Sequence, residues 1–194
     1  MDEARYITFP SALAAINHAT SEVQFGMAST PLVGALLRTL AASKPGGRFL
    51  ELGTGTGISA AWILDGMDLN STLVSVDVDE VTQDVARKAL GDDTRLTLVL
   101  LDALEFLASQ PPASCDLVFA DAMPGKYDGL GEALKVVKPG GFYVIDDMLP
   151  QDNWPEGHAA KVPVLLEVLS QNPNFEVVPM AWASGVVVAV RKSH

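Results

Sequence analysis

RFLELGTGTGISAAWILD, residues 48–65, reads as a strand that breaks on a glycine loop and resumes as a helix. Arg48 to Leu52 is short and largely apolar, and Gly53, Gly55 and Gly57 then fall at every second position. Ile58 to Asp65 holds no breaker until Gly66, a helix stop. Glycines here allow positive φ and let a ligand touch the main chain, with the free N–H groups of the following helix facing it. A dinucleotide fold places Gly-x-Gly-x-x-Gly at the same point, but where its third glycine would fall this chain has Ile58. The loop by itself therefore predicts a ligand without naming it.

Outward from this unit the apolar period alternates between strand and helix. Thr72 to Val76, Leu96 to Leu101, Asp116 to Ala120 and Phe142 to Ile145 are further strands, the third unit's strand being apolar enough for burial on both faces. Between them Val81, Val85 and Ala89 mark a helix closed by Gly91, and Ala103 to Ser109 a short one ended by Pro111 and Pro112. Leu130, Ala133, Leu134 and Val137 have the i, i+3, i+4, i+7 spacing of another, turned by Lys138 to Gly141 into the next strand. Ser29 is a candidate N-cap for a helix carrying Val33, Leu36, Leu37 and Leu40, with Pro31 in its first turn. Met148 to Gly157 is a loop long enough for a lid, Val162 to Leu169 a helical stripe, and Phe175 to Val178 with Val186 to Val190 a terminal hairpin-like pair. This alternation predicts an α/β, doubly wound, mostly parallel sheet in one domain over residues 1–194, with 1–45 as a helical N-terminal region.

Five of the apolar runs stop at or just before a carboxylate: Glu51, Asp77, Asp102, Asp121 and the pair Asp146 and Asp147. An open parallel sheet binds ligands outside the carboxyl ends of its strands, so acids at every exit predict one shared site. Asp77, twenty residues after Gly57, is placed to accept hydrogen bonds from both hydroxyls of an adenosine ribose. Asp79 and Glu80 suit the positive end of the next helix. Asp102 can receive a purine amine, cap the helix at Ala103, or do both.

Composition excludes several classes. Thirteen basic against 24 acidic residues give a net charge of −11, with no basic stripe to neutralise phosphates, so no nucleic-acid partner is expected. One cysteine, Cys115, forms no internal disulfide and reads as core packing in a reducing compartment. Met1 to Thr20 lacks a basic segment followed by an apolar stretch, and no run reaches the length of a membrane span. The expected setting is cytoplasmic, without membrane association, and a homodimer is compatible with the sequence.

The motifs together resemble class I S-adenosylmethionine-dependent O-methyltransferases of the catechol and caffeoyl-CoA type. The resemblance runs from about Ser29 to the end, and Glu51 to Ser59, Val76-Asp77, Leu101 to Ala103, Phe119 to Asp121 and Val144 to Asp147 are its most specific parts. It implies a seven-stranded sheet whose last strand is antiparallel, and methyl transfer from S-adenosylmethionine to a hydroxyl oxygen of a small-molecule acceptor, phenolic in many members. By the same resemblance Glu51, Gly53, Thr54, Gly55 and Gly57 hold the methionine part of the cofactor and Ser59 its carboxylate. Asp77 with Val78 binds the ribose, Asp102 with Ala103 lies beside the adenine, and Met27 to Ser29 covers the sulfonium side.

Three converging carboxylates, Asp121, Asp146 and Asp147, would repel one another and raise at least one pKa unless a cation or several donors answered them. Related catechol-type enzymes use Asp, Asp and Asn at the matching positions to hold magnesium, so a divalent cation is implied here, with Asp147 in place of the Asn. Without it, Asp121 would receive the cofactor's ammonium group. The family's catalytic lysine stands two or three residues after the first Asp, whereas here Lys126 follows Pro124 and Gly125 and is either a base or a solvated side chain. The final hairpin shows no counterpart of the carboxylate with which catechol enzymes contact a substrate hydroxyl, and Ser184 is the nearest polar candidate. Trp154 and His158 can meet an aromatic acceptor or take its proton, unless His158 only starts a helix. His18 and His194 have no metal-ligand spacing. A nicotinamide-dependent oxidoreductase and a non-catalytic S-adenosylmethionine-binding protein are the two competing readings.

Overall fold

The computed structural model describes residues 3–152 and 154–193. Asn153, inside the expected lid, and His194 lie outside the described residues. Seven strands form one sheet: β1 (Arg48–Leu52), β2 (Thr72–Asp77), β3 (Leu96–Leu100), β4 (Cys115–Ala120), β5 (Val137–Ile145), β6 (Phe175–Met180) and β7 (Val186–Arg191). Their order is β3-β2-β1-β4-β5-β7-β6, with β1 to β5 parallel and β7 antiparallel to both its neighbours, as expected from the resemblance.

Period-two alternation in the strands sends side chains to two cores. Phe49, Leu73, Leu117, Phe119 and Val144 pack beneath α1 (Leu13–Glu22), α2 (Pro31–Ala42) and α3 (Ile58–Gly66). Leu50, Leu52, Val76, Val118 and Ile145 pack on the other face against α5 (Ala103–Ala108), α7 (Leu130–Val136) and α8 (His158–Ser170). The helix α4 (Glu80–Leu90) packs on β3 and α1, and α6 (Met123–Lys126) is a single irregular turn.

Register brings the strand exits level. Leu52 pairs with Val76 on one side and Ala120 on the other, and Ala120 pairs with Ile145. The residues that follow, Gly53, Asp77, Asp121 and Asp146, therefore emerge side by side where the strand order reverses, the place at which such sheets bind ligands.

The structure corrects four local expectations. Thr30, not Ser29, caps α2, accepting from the Val33 N–H at 3.4 Å. Val137 opens β5 instead of ending α7, because the stretch Lys138 to Gly141 stays within the strand, with its register shifted opposite Cys115 and Leu117. β3 is only partly covered, Leu100 being 44% exposed, since it lies at the edge of the sheet. Cys115 is half-buried beside the second core, and burial raises its thiol pKa. Among the described residues no helix is long and apolar enough to cross a membrane.

Candidate active site

A cavity of about 370 Å³ lies over the exits of β1, β2, β3 and β4, within the range of small-molecule sites. Of the sequence-predicted residues Met27, Ser29, Gly53, Thr54, Gly55, Ser59, Asp77, Val78, Asp102, Ala103, Asp121, Lys126, Asp147 and His158 line it. Glu51, Gly57 and Asp146 do not. One space thus collects most of the acids, and the expectation of a single site for all of them is corrected below.

The loop after β1 owes its shape to its glycines. Gly55 has φ +50° and Gly57 φ +88°, values that side-chain-bearing residues rarely adopt. A Cβ on Gly57 would stand 2.6 Å from that of Ala86, so this glycine seats the loop on α4 and serves packing, not the cavity wall. The Gly55 N–H donates to Asp77 Oδ2 at 2.8 Å, while Asp79 N–H donates to Asp77 Oδ1 at 2.9 Å. Asp77 therefore ties the loop to the β2 exit with one lone pair of each oxygen and keeps the others for a ligand. No side chain caps α3, whose first residues Ile58 and Ser59 face the cavity, an arrangement that suits an anionic group.

Behind the loop a hydrogen-bonded chain converges on Glu51. Gln83 Nε2 donates to Thr54 Oγ1 at 3.2 Å, Thr54 and Ser75 hydroxyls are 2.6 Å apart, and Ser75 donates to Glu51 Oε2. Glu51 is fully buried and its Oε1 has no hydrogen-bond partner. Burial pushes its pKa up to about 7 against the pull of the serine hydroxyls.

Asp102 fills both roles read for it. Its Oδ1 caps α5, accepting from Leu104 N–H at 2.8 Å and Glu105 N–H at 3.2 Å, and the residue also lines the cavity. Phe25 was not singled out from sequence, yet its ring is where a Cβ on Gly55 would collide, at 3.0 Å, so it covers the loop. Nothing local marks Phe25, which precedes a glycine in an irregular stretch.

At the other end the three aspartates separate. Asp121 accepts from the Ser29 hydroxyl at 3.0 Å. Asp146 accepts from the Ser184 hydroxyl and from Asp147 N–H, the latter at 2.7 Å, and opens on a separate recess of about 70 Å³. Burial, and then the charges of Asp146 and Asp147, drive the Asp121 pKa well above the usual carboxylate range. Burial pushes Asp146 up to about 6, and it raises Asp147 too. Among the described residues no three His, Cys, Asp or Glu side chains assemble into a group able to hold a metal ion. Ser29 and Ser184 each donate to one of the three carboxylates expected to hold the metal, and Ser29 and Asp147 border both hollows. Ser184 lines that recess and not the large cavity, its hydroxyl donating to Asp146.

Lys126 is not a solvated lysine. It is 3% exposed, and its Nζ lies 3.5 Å from the Asp147 carbonyl. Burial lowers its pKa, and Asp121, Asp147 and Asp146 pull it back up. Next to it Tyr127, unremarked from sequence, has its hydroxyl 3.0 Å from His158 Nε2. Trp154 stacks on the imidazole with centroids 4.3 Å apart. His158 begins α8 and also faces the cavity, so both its readings hold. Its Nδ1 is buried without a partner, and burial followed by the Lys126 charge lowers its pKa, favouring neutral imidazole.

Three comparisons bear on this arrangement. The family model described as a methyltransferase domain matches residues 50–148. A candidate O-methyltransferase of Mycobacteroides abscessus is 30% identical over 174 residues, covering 84% of this chain and 80% of that protein. A Mycobacterium tuberculosis relative of the same description is 37% identical over 123 residues, covering 61% of this chain, and the match spans only 55% of that relative's length. The O-methyltransferase TomG of Streptomyces achromogenes, solved in complex with S-adenosylmethionine, superposes with a TM-score of 0.83 at 23% identity over 96% of this chain and 92% of its own. That last likeness is one of fold.

Proposed function

This chain belongs to the methyltransferase-domain family, and on that premise we propose that it transfers a methyl group from S-adenosylmethionine to a hydroxyl oxygen of a small-molecule acceptor. The observation that carries the reading is the continuity of one cavity, from Asp102 and Asp77 at one end, past the glycine loop, to Asp121, Lys126 and His158 at the other. A nucleoside with an amino-acid tail needs such a sequence of contacts.

The residues fit that cofactor. Asp77 would accept from the ribose hydroxyls with the lone pairs left after Gly55 and Asp79, and Val78 would cover the ribose. Asp102 and Ala103 would meet the adenine edge. The backbone of Gly53 to Gly55 and the open start of α3 at Ser59 would take the amino-acid end, with Met27 and Phe25 closing over it. Bound, the cofactor supplies a methyl group already activated on a positive sulfur.

At the acceptor end Trp154, Pro155 and His158 form an apolar and aromatic wall, which suits a phenolic acceptor. His158, whose Nε2 lies 3.0 Å from the Tyr127 hydroxyl, lines this wall, and the His158–Tyr127 pair would receive the acceptor's proton. That pair would take the O–H proton as the acceptor oxygen gains the methyl group that the cofactor supplies. A methyl ether, S-adenosylhomocysteine and one proton result. Calorimetry with S-adenosylmethionine, S-adenosylhomocysteine and NADH, followed by turnover on a panel of phenolic and other hydroxylated acceptors, tests this. Binding of both sulfur nucleosides with no heat from NADH is the expected result; absence of S-adenosylhomocysteine binding would end the proposal, and binding without turnover on any acceptor would leave a cofactor-binding protein in its place.

A further inference from the structure

One buried acid stands behind the cavity wall with a carboxyl oxygen that no group in the fold answers. We propose that this acid, Glu51, is a positioning residue for the cofactor: in its neutral form it donates from Oε1 to the Ser59 hydroxyl, Ser59 donates to the carboxylate of the cofactor's amino-acid end, and binding is thereby linked to uptake of a proton. The inference rests on the methyl-transfer reading above and adds to it a group that does not line the cavity.

The direction of the hydrogen-bonded chain behind the glycine loop follows by elimination. Arg87 on α4 can only donate, and its guanidinium lies 3.2 Å from Gln83 Oε1. The Gln83 amide is therefore turned so that Nε2 donates, to the Val99 carbonyl at 3.1 Å and to Thr54 Oγ1 at 3.2 Å. Among the described residues the buried Thr54 hydroxyl has no acceptor but Ser75, and the buried Ser75 hydroxyl has then none but Glu51 Oε2. A proton held by Glu51 thus sits on Oε1, the oxygen without a partner.

Ser59 is the group beside it. Its hydroxyl is near enough to lower the Glu51 pKa, although no hydrogen bond closes between them, and the residue lines the cavity at the uncapped start of α3. A hydroxyl carries one proton. Next to an ionised Glu51 that proton turns back to the acid, and Ser59 shows the cavity only lone pairs, which repel a ligand carboxylate. Next to a neutral Glu51, Ser59 accepts from Oε1 and its own proton is free for the ligand, beside the unpaired N–H groups of the helix. Burial favours the neutral form and pushes the Glu51 pKa up to about 7, with the like charge of Asp77 at the β2 exit acting in the same sense. Other charges stand apart from it. Arg87 is held by Asp84 and Gln83, His18 and Glu22 of α1 pair with each other at the surface, and Asp65, at the far end of α3, pairs with Arg38. The residues paired with Glu51 on β2 and β4 are Ser75 and Phe119, both uncharged.

Calorimetry of S-adenosylhomocysteine binding to the full chain, from pH 6.5 to 8.5 and in two buffers of different ionisation enthalpy, tests this on wild type, Glu51→Gln and Ser59→Ala. Wild-type affinity is expected to fall roughly tenfold over that range, with uptake on the order of one proton per chain at pH 8. Gln donates permanently where the neutral acid does, so Glu51→Gln is expected to bind without this pH dependence and without this proton. Ser59→Ala cuts the relay on the cavity side; it is expected to lose the same proton and to bind roughly tenfold more weakly than wild type at pH 6.5. Protons exchanged by the ligand's amino group and by Asp121, Lys126, Asp147 and His158, which line the same cavity, are common to all three proteins and cancel in the differences. Thermal melting reports whether each variant is folded. A fall in affinity and a proton uptake that persist in folded Glu51→Gln or folded Ser59→Ala would overturn the proposal, and a flat wild-type profile does so without any variant. Absence of S-adenosylhomocysteine binding at every pH is a different outcome, which strikes at the methyl-transfer reading itself and takes the proposal with it.

Discussion

Glu51 makes the stability of this protein fall as the solution becomes more alkaline, and Glu51→Gln removes that dependence. Its carboxyl is fully buried, one oxygen lacks any partner, and its pKa is pushed from 4.5 up to about 7. Between those values the folded chain holds a proton that the unfolded chain has released. The stabilisation is thus complete below about 4.5 and lost as the pH rises through about 7. At 1.36 kcal/mol per pH unit the whole interval amounts to roughly 3 kcal/mol, of which about 2.5 kcal/mol disappears between pH 5 and 8. Gln keeps an oxygen for the Ser75 hydroxyl but does not titrate, so its own baseline stability is free to differ while the pH slope is not. Urea unfolding of the ligand-free protein at half-unit steps from pH 5 to 8 measures that slope. Asp146, pushed up to about 6, adds a decline of the same sign below neutrality, but it is present in both proteins and cancels in the difference. His158, held below its usual pKa, adds a rise that likewise cancels in the difference, and parallel curves for wild type and Glu51→Gln would refute the reasoning.

Two further perturbations separate binding from packing in the same loop. Asp77→Ala removes a carboxylate that tethers Gly55 and is proposed to hold the ribose; charged hydrogen bonds of this kind are worth about 1.5–3 kcal/mol each, so S-adenosylhomocysteine affinity should drop roughly tenfold to a hundredfold or more in calorimetry. An unchanged dissociation constant would take Asp77 out of the site. Gly57→Ala puts a methyl group 2.6 Å from the Ala86 Cβ at a φ of +88°, a strained and overpacked position that should cost about 2–4 kcal/mol and lower the melting temperature by several degrees. A melting temperature within about one degree of wild type would show that the loop is not seated on α4 as described.

The sheet was legible because its strands end where their chemistry changes. Apolar runs closed by an acid or a glycine marked the exits of β1, β2, β4 and β5, and the helices between them announced themselves by spacing. What failed were places where two periods fit the same residues. Val137 completes an i+7 helical stripe from Leu130, yet it is equally a β-branched residue preceding an extended stretch, and pairing with β4 decides in favour of the strand. The exposure of β3 was unreadable for a related reason: Leu96 to Leu100 has the composition of a central strand, and only the strand order puts it at the edge. Ser29 and Thr30 are both competent caps; Ser29 is drawn off by Asp121, 92 residues away in sequence, and Thr30 is left for α2.

The same distinction runs through the site. Which residues reach the cavity is a matter of strand ends, and a sequence shows those; which way each side chain turns depends on partners that arrive from elsewhere in the chain. Asp121, Asp146 and Asp147 do emerge on neighbouring strands, but Ser29 from before α2 and Ser184 from the turn before β7 set two of their directions. Asp147 itself stands at φ +57°, a conformation an aspartate tolerates better than most residues. Lys126 is the sharpest case. Read locally, a lysine after Pro-Gly is a surface residue, because burying an ammonium alone is prohibitive. Its burial makes sense only once the acids from β4 and β5 are placed around it. That burial could not be inferred from the lysine's own stretch of sequence, because the charges that offset it arrive from the exits of two strands.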